Sequence, residues 1–250
     1  MLRRRLIVNL LWRSIGIVQS RGFEHTNVVG DLKVAINCFN AWEADEIILL
    51  NVERDDTNYV PFVNALRHIS SCCFLPLSVG GWINNIDRVK QLLDNGADKV
   101  VVNTHGLLEP DFISTIARQY GSQCIIASID VRGNKLSGYE VFVDRGRQKL
   151  GISPFEALNR VANAGAGEVM ITSIDRDGSL SGYDEFLLRH IVAKSPVPVI
   201  SFGGVGSWQH LADGLANGAD AVAAGNIFHH SDQSTRKAKR FLRSTEFLIR

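Results

Sequence analysis

The sequence predicts an α/β protein, a (β/α)8 TIM barrel built from two repeated half-barrels. Three observations carry that expectation. Short continuous apolar runs alternate with longer segments of helical spacing, there are eight of each, and the second half of the chain repeats the first. Continuous apolar runs mark strands buried on both faces, as in parallel sheets. Eight βα units close such a sheet into a barrel. At 250 residues the chain fits one domain of this kind, 1–250, with half-barrels at about 1–122 and 123–250.

The repeat can be followed residue by residue. Glu46-Ile47-Ile48-Leu49-Leu50-Asn51-Val52 aligns with Glu168-Val169-Met170-Ile171-Thr172-Ser173-Ile174, and the charged tails Glu53-Arg54-Asp55 and Asp175-Arg176-Asp177 continue the match. At the same offset Pro76-Leu77-Ser78-Val79-Gly80-Gly81 answers the Pro198–Gly204 segment, and Asn95-Gly96-Ala97-Asp98 answers Asn217-Gly218-Ala219-Asp220.

The first strand is read at Arg5–Leu11, because Leu6–Trp12 is apolar apart from Asn9 and is closed by Arg13; a helix at Leu32–Trp42 follows. The same alternation places strand Glu46–Val52 before helix Val60–Ile69, strand Phe74–Val79 before helix Ile86–Leu93, and strand Lys99–Asn103 before helix Asp111–Gln119. In the second half it gives Cys124–Asp130 and Pro154–Ala164, Glu168–Ile174 and Glu185–Ala193, Pro198–Phe202 and Trp208–Ala216, then Ala221–Gly225 and Arg236–Leu242. Gly96, Gly165 and Gly218 stand where helix C-caps need left-handed backbone. An open doubly wound sheet would need a G-x-G-x-x-G fingerprint in the first βα turn, and Leu11–Gly16 has none.

Composition narrows the function classes. Twenty-seven Lys and Arg against 26 Asp and Glu leave a net charge of +1, which supplies no field for nucleic acid or anionic lipid. No stretch reaches the roughly 18 consecutive apolar residues of a membrane span. The start MLRRRLIVNLLWR imitates a signal peptide but lacks a small-residue cleavage site, and it reads as a buried strand. Cys38, Cys72, Cys73 and Cys124 form neither a Cys-x-x-Cys pair nor a His-spaced cluster, so no metal site or disulfide framework is expected, and a reducing cytoplasm fits.

In such a barrel the residues just after each strand form the active face. There the sequence places Gly80-Gly81, Asn103-Thr104, Asp130, Asp177-Gly178-Ser179, Gly203-Gly204 and Gly225-Asn226. Paired glycines expose backbone N–H groups that suit a phosphate, with one such site per half; equally, glycines end strands sharply. Asp130 at the close of an apolar run reads either as a general acid or base or as a turn residue. The equivalent end of the first strand holds Leu11, so no second carboxylate completes a pair. At the opposite end Arg5, Glu46, Lys99 and Glu168 begin strands with alternating sign, the pattern of a salt-bridged plug, since lone charges there would be costly to desolvate. His105 reads as a rim residue or proton carrier, His229-His230 as a solvated helix start without a third metal ligand, and Arg236-Lys237-Ala238-Lys239-Arg240 as an exposed basic helix face.

Over nearly its whole length the sequence resembles the cyclase subunit of imidazole glycerol phosphate synthase, the HisF family, most specifically in Ile171–Gly178, Ser181-Gly182-Tyr183-Asp184, Gly96–Val100 with Asn103-Thr104, and Gly121-Ser122-Gln123. The resemblance implies a heterodimer with a HisH-like glutaminase subunit. Ammonia would enter the barrel bottom, pass a charged gate matched by Arg5, Glu46, Lys99 and Glu168, and react at the top with a phosphorylated ligand; Asp98 matches a position facing the glutaminase. No cofactor is implied.

The top face departs from that family. Its first catalytic aspartate is Leu11, while the second is kept as Asp130. A loop lysine is Gln19, an aspartate is Asn51, a third glycine is Trp82, a small residue is His105 and a serine is Phe202. A positioned acid–base group contributes about 10² to 10⁴ in rate, so Leu11 should cripple the usual cyclisation. Leu10-Leu11 is similar to HisF paralogues that supply ammonia for converting acetamido to acetamidino sugars in surface polysaccharide pathways. That resemblance implies a further partner, an ATP-dependent sugar amidotransferase. The alternative is a cyclase of histidine biosynthesis; a non-catalytic phosphosugar-binding scaffold would leave the gate unexplained.

Overall fold

Eight parallel strands close on themselves in the computed structural model, which describes residues 3–245 and 247–250. In chain order the strands are β1 (Arg5–Arg13), β2 (Gly16–Arg21), β3 (Glu24–Gly30), β4 (Glu46–Asn51), β5 (Leu77–Gly80), β6 (Lys99–Val102), β7 (Ile125–Asn134), β8 (Gly138–Val143), β9 (Gln148–Lys149), β10 (Glu168–Ser173), β11 (Val199–Phe202) and β12 (Ala221–Ala224). The helices are α1 (Leu32–Ala41), α2 (Tyr59–Ser70), α3 (Ile86–Asp94), α4 (Thr104–Leu108), α5 (Pro110–Tyr120), α6 (Pro154–Asn163), α7 (Glu185–Val192), α8 (Trp208–Ala216) and α9 (Ser234–Ser244). Parallel pairing runs β1–β4–β5–β6–β7–β10–β11–β12 and returns from β12 to β1. The expected (β/α)8 barrel is therefore present, and Met1 and Leu2 of the leader-like start lie outside the described residues.

Alternation along the strands divides the core in two. Outward residues such as Leu6, Val8, Leu10, Leu49, Val100 and Val169 pack with helix residues such as Ile36, Phe62, Leu92 and Leu158. Inward residues Ile7, Ile48, Val101, Ile126, Met170, Ile200, Ala221 and Ala223 fill the barrel itself. Helix starts are fixed by side-chain caps, Asp31 on Val34 N, Asn85 on Arg88 N, Ser153 on Glu156 N, Asp184 on Leu187 N and Ser207 on His210 N.

The two halves also correspond in register. Ile7 stands opposite Glu46 as Ile126 stands opposite Glu168. Continuing inward along each strand, Asn9 matches Ser128 and Leu11 matches Asp130. Each half adds a hairpin after its first strand, β2–β3 after β1 and β8–β9 after β7, both antiparallel and both unforeseen from the sequence. The hairpin tips meet over the upper end of the barrel, where Gly146 lies so near Phe23 that a side chain on it would come within 3.2 Å of the ring.

Two sequence expectations need correction. The third barrel strand begins at Leu77 rather than Phe74; Phe74 is exposed, its N–H taken by Asn40 Oδ1 at 3.1 Å. The basic segment 236–240 is not a uniformly solvated face. Ala238 and Lys239 are buried, and Lys239 Nζ donates to Asp45 Oδ1 at 2.6 Å and to the Glu43 carbonyl at 2.7 Å. The reason is periodicity: α9 packs on the barrel, and every third or fourth residue of a basic run on it faces inward, where only a paired charge is tolerated. Asp45 in turn accepts Leu6 N–H at 2.8 Å, tying α9 to β1. Lys239→Met should therefore leave a buried carboxylate without its cation and cost about 3 kcal/mol in urea unfolding; a loss below about 1 kcal/mol, the range of an exposed pair, would show that the pair is not structural.

Candidate functional site

At the end where the strands begin, Arg5, Glu46, Lys99 and Glu168 each open a strand and point inward. Arg5 Nη1 donates to Glu46 Oε1 at 2.9 Å, and Arg5 Nη2 to Glu168 Oε2 at 2.5 Å. Lys99 Nζ donates to Glu168 Oε1 at 2.5 Å but lies 3.8 Å from Glu46 Oε2, which has no hydrogen-bond partner although buried. The ring is thus tight at three contacts and slack at the fourth. Burial raises the Glu168 carboxyl, but Arg5 and Lys99 outweigh it and hold it below its ordinary value. Burial lowers Arg5, and Glu168 with Glu46 outweigh it in the opposite direction. Beside this mouth the exposed Asp98 accepts Leu77 N–H at 2.8 Å.

At the other end lies a cavity of about 390 Å³. Its lining includes Leu11, Leu50, Val101, Met170 and Phe202 together with Asn51, Asn103, Ser128, Asp130 and Thr172. Asp130 Oδ2 accepts Asn103 Nδ2 at 3.1 Å, and Ser128 Oγ lies 3.4 Å from Oδ1. Burial pushes the Asp130 carboxyl up to about 7, against the lowering effect of hydrogen bonds from Thr172, Ser128 and Asn103. It can therefore carry or release a proton near neutrality. The register-equivalent position in the first half is Leu11, half-buried and lining the same cavity, so the symmetric partner of this acid is a hydrocarbon.

Residues the sequence reading did not single out shape the rim. Arg145, in the β8–β9 turn, lies 5.1 Å over the Trp82 ring and donates to the Glu53 carbonyl at 3.0 Å; Trp82 Nε1 donates to that carbonyl at 3.2 Å. Glu53 is fixed by Ser14 N–H and Oγ, each at 2.7 Å, and by Arg13 Nε at 3.1 Å. The Trp82–Arg145 stack thus occupies the rim beside Gly81. The alternation of Tyr139, Val141 and Val143 before Asp144-Arg145-Gly146 was the available signal for this hairpin.

The glycine pairs separate in space. Gly81 lines the large cavity, whereas Gly80 faces Val101 and Leu50 and lines none of the cavities described here. Gly178, Gly203, Gly204, Gly225, Asn226 and Asp177 line a narrow groove with about 20 Å³ of free space. Gly81 and Gly203 share a structural requirement: at φ +103° and +100°, a side chain would strike the Asn51 carbonyl at 2.3 Å or the Ser173 carbonyl at 2.9 Å. Thr104 lines the large cavity and accepts Asp144 N–H at 3.0 Å, while Ser179 pairs with Ser181 Oγ at 2.6 Å outside the groove. The β2–β3 tip closes the groove, with Phe23 N–H on Asp177 Oδ2 at 3.0 Å and Asn226 Nδ2 on the Ser20 carbonyl at 3.2 Å. Burial raises the Asp177 carboxyl.

The remaining candidates are peripheral. His105 packs edge-on against Phe112 at 4.6 Å on the cavity rim. His229 packs on Phe39, and burial with His230 lowers it to about 4; His230 Nε2 meets Gln19 Nε2 at 2.9 Å. Among the described residues no group of three or more His, Cys, Asp and Glu could hold a metal, and no helix is long and apolar enough to cross a membrane.

Comparison with known proteins places these features in a family. Residues 13–234 match the family described as histidine biosynthesis protein. The chain is 39% identical to the imidazole glycerol phosphate synthase subunit HisF of Dictyoglomus turgidum, over all of this chain and 99% of that protein. It is 38% identical to the subunit of the same name from Chloroherpeton thalassium, covering both chains fully. A putative imidazole glycerol phosphate synthase subunit hisF2 of Vibrio vulnificus is 37% identical over all of this chain and 92% of its own length.

The raised Asp130 carboxyl fixes a sign for pH dependence. The native state binds a proton there that the unfolded chain has released, so stability falls as pH rises from about 4 to about 7. Asp130→Asn should remove that slope, stabilising the chain above pH 7 by up to about 4 kcal/mol and giving no gain near pH 4. Parallel melting curves of the two proteins across this range would show that Asp130 is an ordinary solvated carboxylate.

Proposed function

The chain belongs to the histidine biosynthesis protein family and is a HisF-type barrel, and from that membership we propose that it channels ammonia from a HisH-like glutaminase to a sugar-modifying reaction. The reaction is the conversion of an acetamido sugar to an acetamidino sugar in surface polysaccharide biosynthesis, completed by an ATP-dependent amidotransferase. One observation carries this reading: the four-charge ring at the bottom is complete, while at the top the register partner of Asp130 is Leu11.

The glutaminase docks on the bottom face around Asp98, beside the ring. Its ammonia passes at the slack Lys99–Glu46 corner, where 3.8 Å separates the charges. Ile7, Ile48, Ile126, Met170 and Ile200 then form a layer that a neutral molecule crosses and an ammonium ion does not, because an unpaired charge there would lose its hydration. Above that layer Asp130 holds or releases a proton as the nitrogen leaves the barrel. The backbone around Gly81, Asn103, Thr104, Asp177, Gly178, Gly203, Gly204, Gly225 and Asn226 is the region for a phosphorylated ligand, while Gly80 and Ser179 stand behind it; the narrow groove suits its anionic end.

A second reading, the cyclase subunit of histidine biosynthesis, is favoured by the buried, protonatable Asp130 hydrogen-bonded to Asn103 and by the names of the relatives. Complementation of a histidine auxotroph lacking its cyclase subunit separates the two. No growth is expected although soluble protein accumulates, and Leu11→Asp should rescue growth at most partially, since Gln19, Trp82 and Phe202 remain. Growth at ordinary expression would establish the cyclase reading instead.

A further inference from the structure

Asn9 points into the barrel lumen, two residues beyond Ile7 and two short of Leu11, so that along β1 it lies about 13 Å beyond Arg5 of the charged ring. The side chain is 1% exposed, and neither Oδ1 nor Nδ2 has a hydrogen-bond partner. Its register counterpart Ser128 has the Asp130 carboxylate within reach at 3.4 Å; Asn9 has none, because the corresponding residue is Leu11. A buried amide with donor and acceptor both idle is an exception among native proteins. Asn9 also lines the narrow groove formed with Gly203, Gly204 and Gly225.

We propose that Asn9 is a binding station for a single neutral hydrogen-bonding molecule of one heavy atom, occupied by ammonia during delivery and by water at rest. The proposal rests on the ammonia-delivery reading and gives it a site in the lumen. Ammonia meets both idle atoms, donating N–H to Oδ1 and accepting Nδ2–H on its lone pair. Ammonium has no lone pair and can satisfy Oδ1 alone, so the amide selects the neutral form. No bond is made or broken at this station.

The experiment uses the full chain labelled with ¹⁵N, with the Asn9 side-chain amide signal identified by its absence in Asn9→Leu and, should that variant fold poorly, in Asn9→Ser. Ammonium chloride is titrated at an alkaline pH that frees ammonia, against tetramethylammonium chloride at equal ionic strength. A saturable shift of the Asn9 signal is expected with ammonium chloride alone, and it should vanish at acidic pH. No saturable shift would overturn the ammonia assignment, and ordered water at Asn9 in a high-resolution structure would then make the station one for water only. Failure of the delivery reading shows elsewhere, as no glutaminase complex or no nitrogen transfer while the Asn9 response persists.

Discussion

Arg5 holds Glu46 and Glu168 together at the mouth of a barrel whose next layer is almost entirely hydrocarbon, and that juxtaposition constrains what the rest of the molecule can do. Ions at such a boundary are tolerated only when their partners are present, so two bases and two acids form a unit that cannot be half built. Each charge is delivered by the first inward position of a different strand, which makes the ring a product of barrel closure rather than of any local motif. One contact of the four is slack, with 3.8 Å between Lys99 and Glu46, while Arg5 is paired with both carboxylates. The apolar layer above offers no partner to an unpaired charge.

The two-fold internal repeat accounts for the upper end. Equivalent hairpins leave β1 and β7, their tips meet above the barrel, and equivalent glycines, Gly81 and Gly203, turn sharply after β5 and β11 where a neighbouring strand's carbonyl leaves no space for a side chain. The symmetry is broken at particular side chains. Asp130 keeps a buried, protonatable carboxyl and Leu11 does not; Gly81 is followed by Trp82 under Arg145, while Gly203 is followed by Gly204 in a narrow groove. With Leu11 rather than a carboxylate opposite Asp130 in the repeat, Asn9 also lacks a neighbour comparable to that of Ser128, so one position sets both the chemistry at the cavity floor and the polarity of the lumen beneath it.

The barrel strands and their helices were legible because both depend on local pattern, continuous apolar runs and capped amphipathic segments. The strand starts Arg5, Glu46, Lys99 and Glu168 were legible too, since each is a charge abutting an apolar run. The hairpins were not, because their sequences carry alternating residues in segments that βα logic assigns to loops. Arg145 was invisible for the same reason: its place over Trp82 depends on a turn that folds back across the barrel. Lys239 was misjudged because a run of charges says nothing about which of its members the helix turns inward. That Leu11 stands at the position equivalent to Asp130 could be read from the sequence alone, but the burial that raises Asp130 required the cavity.

Whether the ring governs nitrogen passage is tested most directly by comparing wild type with Lys99→Ala in a system reconstituted from the barrel, a HisH-like glutaminase and the nitrogen-accepting enzyme. Nitrogen incorporated per glutamine hydrolysed should fall several-fold in the variant while hydrolysis continues, with a stability loss on the order of 1–3 kcal/mol from the carboxylate oxygens left unpaired. An unchanged ratio together with an unchanged melting temperature would contradict a gating role and reduce the four charges to ordinary residues at a barrel rim.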